Sequence, residues 1–316
     1  MYAGRRVNNI SNYDNSRGVK MMFRKFTDSV RLVCLTAFLT ALCMTAVFAD
    51  ELPTKNVPYY SPDAAGSGNL EYRDLRCMLD VYFPKNAAAD AKLPVVVWFH
   101  GGGLSGGNKH EVSELTNHGI IVVSVNYRLR PVAKEPDYIE DAAAAVAWTF
   151  KNIEKYQGDP TRIYVSGHSA GGYLTMMVGL DPRFMAAHGL KNTDIAGLFP
   201  ISGQATTHFG IVADRKKAAG IAPDESVSRD NPIVVDAFAP MSYTNKVVSP
   251  IHFLCGDPAI EWPARVEENA LIAAMLKTVK NHGVVEFRSF PGCNHGTCVK
   301  PALEYIWKSI QGQQNE

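Results

Sequence analysis

The sequence predicts an α/β fold, one domain built on a mostly parallel sheet with helices on both faces. Three observations predict it. Apolar runs of strand length recur along the chain and alternate with stretches of helical pattern. Several of those runs are continuous rather than alternating, as expected of strands buried on both faces. The composition of the 316-residue chain, 46% hydrophobic and 20% charged, is that of a globular domain. It excludes a disordered, collagen-like or disulfide-scaffold protein.

The first 49 residues stand apart. Arg24, Lys25 and Arg31 lead into an apolar stretch, 32–48, which ends in Val47-Phe48-Ala49 before Asp50-Glu51. A basic flank, a short apolar run and a small residue at the cut are the physical form of a secretory signal. Residues 1–49 are therefore expected to be removed on export, to a periplasmic or secreted location, with a retained anchor as the alternative. The run is short for a span and stops at a cleavage-like site, so no stable membrane span is expected after cleavage. Neither Cys34 nor Cys43 has the surroundings of a lipid-attachment site. Residues 1–20 are polar, unlike the start of a signal, which points to translation from Met21 or Met22. Residues 50–68, rich in Pro, Gly and Ser, read as a leader, and the domain proper as 69–316.

Within the domain, 69–83 reads as two extended runs broken near 74–76, a hairpin at the sheet edge. Leu93-Pro94-Val95-Val96-Val97-Trp98-Phe99 is a buried strand; 120–125, 162–165, 195–201 and 251–255 follow it, and 284–290 alternates as an edge strand does. A helix is expected over 138–156, where Glu135-Pro136-Asp137 opens an Ala-rich run. A second is expected over 263–280, with Pro at its start and apolar Val266, Ala270, Leu271, Ala274 and Leu276. Residues 203–249 fit the alternation poorly and read as a small cap over the strand ends, with a surface loop as the alternative.

The formal net charge is +1, and removing 1–49 leaves a slightly acidic chain, so nucleic acid is excluded as a partner. Cys77, Cys255, Cys293 and Cys298 remain after the signal and could pair in three ways in an oxidising compartment. Cys293 and Cys298, the nearest couple in sequence, are the favoured pair, with free buried thiols as the alternative.

Three segments carry chemistry. Gly167-His168-Ser169-Ala170-Gly171 lies between a strand and a helical run, the context in which G-x-S-x-G forms a nucleophile elbow. His100-Gly101-Gly102-Gly103 follows a strand directly. Its glycines let backbone N–H groups of Gly102 and Gly103 converge with that of Ala170 as an oxyanion hole. No Gly-Lys-Ser/Thr or dinucleotide fingerprint follows, which argues against a phosphate loop. His295, in Asn294-His295-Gly296 past the last strand, is placed to take the proton of Ser169.

These segments, with Asn126-Tyr127-Arg128-Leu129, resemble the α/β-hydrolase superfamily, in its branch of hormone-sensitive lipase-like carboxylesterases and carbohydrate acyl esterases. The resemblance covers roughly 70–312. It implies an eight-stranded, mostly parallel sheet and catalysis through an acyl-enzyme, with no metal or organic cofactor. Tyr127 and Asp141 match structural positions of that family. The family's triad acid stands three residues past the strand-ending Gly, here Ala259, which departs from the pattern. Asp257 and Glu261 flank that place, and in an extended segment both would face the same way. Asp257 stands early and Glu261 late but with the longer arm, so Glu261 is favoured, with Asp257, or no acid at all, as the alternatives.

The leading reading is a secreted serine esterase acting on small acyl esters, with acyl groups on carbohydrates as the substrate by analogy. An amidase resembling kynurenine formamidase, and a non-catalytic binding protein of the same fold, are the competing readings.

Overall fold

A computed structural model of the chain describes residues 54–61, 63–64, 66–85, 87–88, 91–222 and 233–312. The expected signal, 1–49, lies outside the described residues. Among the described residues eight strands form one sheet: β1 (Val57–Pro58), β2 (Met78–Tyr82), β3 (Leu93–Phe99), β4 (Ile121–Val125), β5 (Gly158–His168), β6 (Gly197–Ile201), β7 (Ile251–Cys255) and β8 (Val285–Ser289). Their order is β1-β2-β4-β3-β5-β6-β7-β8. The strands from β3 to β8 pair in parallel, and β1 and β2 join antiparallel at one edge.

Helices α3 (Asp137–Asn152), α4 (Ala170–Leu180) and α7 (Arg265–Lys277) cross between parallel strands, and α8 (Val299–Ile310) follows the last one. Shorter helices are α1 (Leu70–Arg76), α2 (Ser113–Thr116), α5 (Pro182–Ala186) and α6 (Phe209–Ala218). Strand alternation divides the core between the two faces. Val95, Val97 and Phe99 of β3 join the larger cluster, with α3 and α4; Val96 and Trp98 join the other, with α8. Every residue of α4 is buried, which explains an apolar sequence without a polar face.

Three expectations are corrected. The stretch 69–83 is no hairpin: its first half is α1, because the Asn69 side chain caps it by accepting from the Tyr72 amide at 2.9 Å. Only the second half, β2, is extended. Residues expected as a leader belong to the domain: Val57 pairs with Leu79, and Val57 and Tyr59 are buried in the larger core. Cys293 and Cys298 are not joined. The four described cysteines, Cys77, Cys255, Cys293 and Cys298, are free, and the Cys298 thiol instead contacts Ser202 Oγ and the His295 carbonyl, each at 3.3 Å.

The stretch 203–249 starts at the end of β6, and its described parts hold α6 and a 3-10 turn, Pro240–Tyr243. Phe209 of α6 approaches the triple-glycine loop: a Cβ added to Gly103 would lie 3.2 Å from its ring. Ion pairs of Arg130 with Asp214 and of Arg215 with Glu135 tie the stretch to the segment after β4, and Arg215 also pairs with Asp236 within the stretch.

Candidate active site

The site is assembled where β3, β5 and β7 end. Ser169 sits between β5 and α4 with φ 57° and ψ −115°, a left-handed conformation strained for a residue with a Cβ. Its amide donates to the Ile201 carbonyl at 2.8 Å, and its carbonyl accepts from the Tyr173 amide at 3.0 Å. The turn needs glycine because the end of β3 passes against it. A Cβ at Gly167 would lie 2.5 Å from the Phe99 carbonyl oxygen, and one at Gly171 only 2.0 Å. Ser169 is 8% exposed and starts a buried helix, whose N-terminal amides favour developing negative charge.

The glycine loop lies against this turn. A Cβ at Gly101 would meet the His168 carbonyl oxygen at 3.1 Å and Ser169 Cβ at 3.4 Å. Gly102 has φ 113° and its carbonyl accepts from the Ser105 and Gly106 amides, both at 3.0 Å, which closes the loop on itself. Among the described residues the amides of Gly102, Gly103 and Ala170 meet no acceptor. His100 is a structural member: burial, with Arg76 nearby, pushes its pKa down to about 4, and its ring stacks on Tyr127. The Tyr127 hydroxyl donates to the His100 carbonyl at 2.8 Å, fixing where the loop begins. Asp141 pairs with buried Arg128 at 2.7 Å, away from the chemistry.

His295 meets an acid. Its Nδ1 is 2.7 Å from Glu261 Oε1, and the Glu261 side chain is wholly buried. A carboxylate can only accept, so Nδ1 donates and the free lone pair is on Nε2. Glu261 is well held: Oε1 also accepts from the Trp262 amide at 2.9 Å, and Oε2 accepts from Ser202 Oγ at 2.8 Å and the Gly256 amide at 3.1 Å. Burial alone would raise the Glu261 pKa. The bonds from His295, Trp262 and Ser202 outweigh it and bring it down to about 2.

Asp257, the other candidate acid, does not reach His295. It is exposed, and its carboxylate accepts from the Ala259 amide at 2.9 Å and the Gly292 amide at 2.7 Å. The expectation of an extended 257–261 is corrected. The Ile260 and Glu261 amides both donate to the Asp257 carbonyl, at 3.0 and 2.8 Å, so the chain coils through one turn and brings Glu261 inward.

Nε2 of His295 is buried and has no hydrogen-bond partner, so the Ser169 hydroxyl is not bonded to it in this structure. The two residues lie on neighbouring segments. His168, which precedes Ser169, places its ring centroid 4.7 Å from that of His295, with Nε2 2.7 Å from the His295 carbonyl oxygen. Burial and the adjacent His295 push the His168 pKa down to about 4, so it is neutral near neutral pH and donates to that carbonyl.

Sequence reasoning passed over the groups that hold the pair in place: Ser202, Cys298, His168 as a tether, and Trp262. The Trp262 indole stacks on the His295 imidazole, centroids 3.8 Å apart and planes within 10°. A Trp directly following a candidate acid is the one signal that could have found it. No cluster of metal-ligating side chains occurs among the described residues, and no helix there is long and apolar enough to cross a membrane.

Residues 79–258 match the BD-FAE family, a region that holds the glycine loop and Ser169. The chain is 32% identical over 151 residues to the probable carboxylic ester hydrolase LipM of Mycobacterium tuberculosis, covering 45% of this chain and 35% of that protein. It is 26% identical over 256 residues to esterase LipQ of the same organism, covering 77% and 56%. The chain thus spans from about a third to somewhat over half of these relatives. Among solved structures, a truncated form of a carbohydrate esterase from gut microbiota superposes with a TM-score of 0.62 at 18% identity, over 82% of this chain and 95% of that one. Thermogutta terrifontis esterase 2 phosphoramylated by tabun gives 0.60 at 19% identity, over 85% and 99%. At these identities the likeness is one of fold, the α/β-hydrolase fold.

Proposed function

The chain belongs to the BD-FAE family of α/β-hydrolases, and from that premise we propose that it is a serine carboxylesterase working through an acyl-enzyme on Ser169. The observation that carries the reading is the His295 pair: Nδ1 is held by a buried, ionised Glu261, while Nε2 is buried and unpartnered beside the strained Ser169 turn.

Ser169 Oγ attacks the ester carbonyl as its proton passes to Nε2 of His295, which engages the hydroxyl when substrate fills the site. Glu261 keeps the proton on Nδ1 and balances the imidazolium charge. The carbonyl oxygen becomes an oxyanion facing the amides of Gly102, Gly103 and Ala170, and each such donor contributes about 3–4 kcal/mol to lowering the barrier. Collapse expels the alcohol, which takes the proton from His295. Water, deprotonated by the same imidazole, then attacks the acyl-enzyme and restores Ser169.

The apolar run 32–48 supports export, to the periplasm or outside the cell, and an esterase there meets acylated polysaccharide. Small acyl groups on carbohydrates are the proposed substrate class. Kinship of fold with a carbohydrate esterase supports that choice by analogy.

Turnover of a short-chain chromogenic acetate, with mass spectrometry after a serine-directed organophosphonate, tests the reading. It expects burst kinetics and one adduct on Ser169. No turnover and no adduct would identify a binding protein of hydrolase fold. Faster cleavage of formyl-amides than of esters would identify an amidase.

A further inference from the structure

The esterase reading accounts for three side chains and a set of amides, but not for Trp262. Its ring lies flat against His295 at 3.8 Å, nearly parallel, while its own amide donates to the Glu261 oxygen that receives Nδ1–H. One residue therefore touches both partners of the pair, the acid through its backbone and the base through its ring. Trp262 is half-buried, and the Arg265 guanidinium stands over its ring at 5.8 Å.

The His295 ring needs such a support. It belongs to a loop between β8 and α8 that contains Gly292 and Gly296, and Nδ1 is its one ring atom with a hydrogen-bond partner. A single bond fixes a point on the ring and leaves it free to swing about that bond. A stacked face removes that freedom. The aromatic face also carries negative charge density, so it attracts imidazolium more strongly than neutral imidazole. That favours the state in which His295 holds the Ser169 proton.

Resting on the esterase reading, we infer that Trp262 is a positioning residue of this site. Its indole sets the plane of the His295 imidazole and stabilises the imidazolium formed during acyl transfer. The charged and titratable groups facing His295 are Glu261 from the turn after β7, His168 from the end of β5, Cys298 at the start of α8, and Arg265 of α7 near the Trp262 ring. When Trp262 is replaced, Glu261, His168 and Cys298 keep their own contacts with His295 and only Arg265 loses the ring it stands over, so the change in pH dependence is read by setting Trp262→Leu against Trp262→Phe, which keeps a ring in place.

The test compares Trp262→Leu with Trp262→Phe, with Ser169 labelling by phosphonate and thermal melts run on each. Loss of a cation–π contact lowers kcat about 2- to 30-fold in Trp262→Leu, with little change in KM. The acid limb of kcat/KM moves to lower pH, and Trp262→Phe recovers most of both. A second readout needs no turnover. Protonated imidazole stacked on indole quenches its emission, so Trp262 fluorescence falls as His295 is protonated. Trp307 stacks on His118 at 3.9 Å and Trp98 stands edge-on to His110 at 6.3 Å, and either pair would add to the signal, so the titration is run in Trp307→Phe with His110→Gln. The quench should vanish on adding either His295→Gln or Trp262→Phe.

Labelled, folded Trp262→Leu with unchanged kcat and acid limb would overturn the inference and leave the esterase reading intact. So would a change confined to KM that depends on the alcohol part of the substrate, which would make Trp262 a sugar-stacking platform instead. Failure of the unsubstituted protein to label at Ser169 would sink the esterase reading, and the inference with it.

Discussion

Replacing Glu261 by Gln should damage catalysis far more than its single-atom change suggests. The carboxylate accepts from four donors: His295 Nδ1 and the Trp262 amide on Oε1, Ser202 Oγ and the Gly256 amide on Oε2. Gln supplies one oxygen and one NH2. With the NH2 toward His295, the imidazole must accept at Nδ1, which puts its proton on Nε2, where it can no longer take one from Ser169. Triads that lose their acid this way fall about 10⁴-fold in kcat. With the NH2 toward Gly256 two buried donors face each other, at a cost of about 1–3 kcal/mol in stability. Glu261→Gln is therefore expected to lose about 10³- to 10⁴-fold in kcat on a chromogenic acetate, with a lower urea midpoint. Asp257→Asn, at an exposed carboxylate that touches only loop amides, should stay within about tenfold. The reasoning is refuted if Asp257→Asn is the more damaging, or if Glu261→Gln keeps most of its activity.

Other outcomes follow from the same contacts. Gly171→Ala forces a Cβ to 2.0 Å from the Phe99 carbonyl oxygen and should cost about 3 kcal/mol in urea unfolding. Gly283→Ala, where a Cβ meets nothing within 4 Å, should change stability by no more than about 0.5 kcal/mol. Asp141→Ala leaves Arg128 buried beside only its longer 3.5 Å pairing with Asp137, and should cost about 3–5 kcal/mol while kcat per folded molecule holds. Stability should also fall with acid in two windows. His100 and His252, both brought down to about 4 chiefly by burial, bind protons in the unfolded chain first, so stability drops as pH falls from about 6.5 to 4. Glu261, at about 2 in the folded state, adds a loss on the order of 3 kcal/mol between about pH 4.5 and 2. Urea midpoints across pH check both; a flat profile between 6.5 and 4 would show that those histidines are not buried neutral.

Much of this was readable because it depends on local pattern. The strands β3 and β7 are continuous apolar runs between polar punctuation, and they form as such at Leu93–Phe99 and Ile251–Cys255. The Ser169 turn was readable because its glycines answer a steric demand that no other residue meets, the passage of β3 within 2.5 Å of their missing side chains. What escaped depends on tertiary context. The two-residue β1 is too short to carry a period, and only its pairing with Leu79 and Met78 of β2 defines it. The helix α1 had a legible cap in Asn69, but Leu70 and Leu75 remain exposed, so it has no apolar stripe to mark it. The choice between Asp257 and Glu261 turned on whether five residues extend or coil. Two hydrogen bonds to one carbonyl decided it. Ser202 and Cys298 come to the acid from distant parts of the chain, which spacing in sequence does not encode, and Trp262, though next to Glu261, meets the His295 ring only through the fold.

The central claim is that Ser169 and His295 meet beneath the amides of the glycine loop, and a crystal structure of the phosphonate adduct tests it most directly. The expected adduct is on Ser169 Oγ, with His295 Nε2 within about 3.2 Å of that oxygen and the phosphoryl oxygen within about 3.1 Å of the Gly102, Gly103 and Ala170 amides. An adduct elsewhere, or one on Ser169 with His295 Nε2 still unbonded to it and the phosphoryl oxygen in solvent, would contradict it.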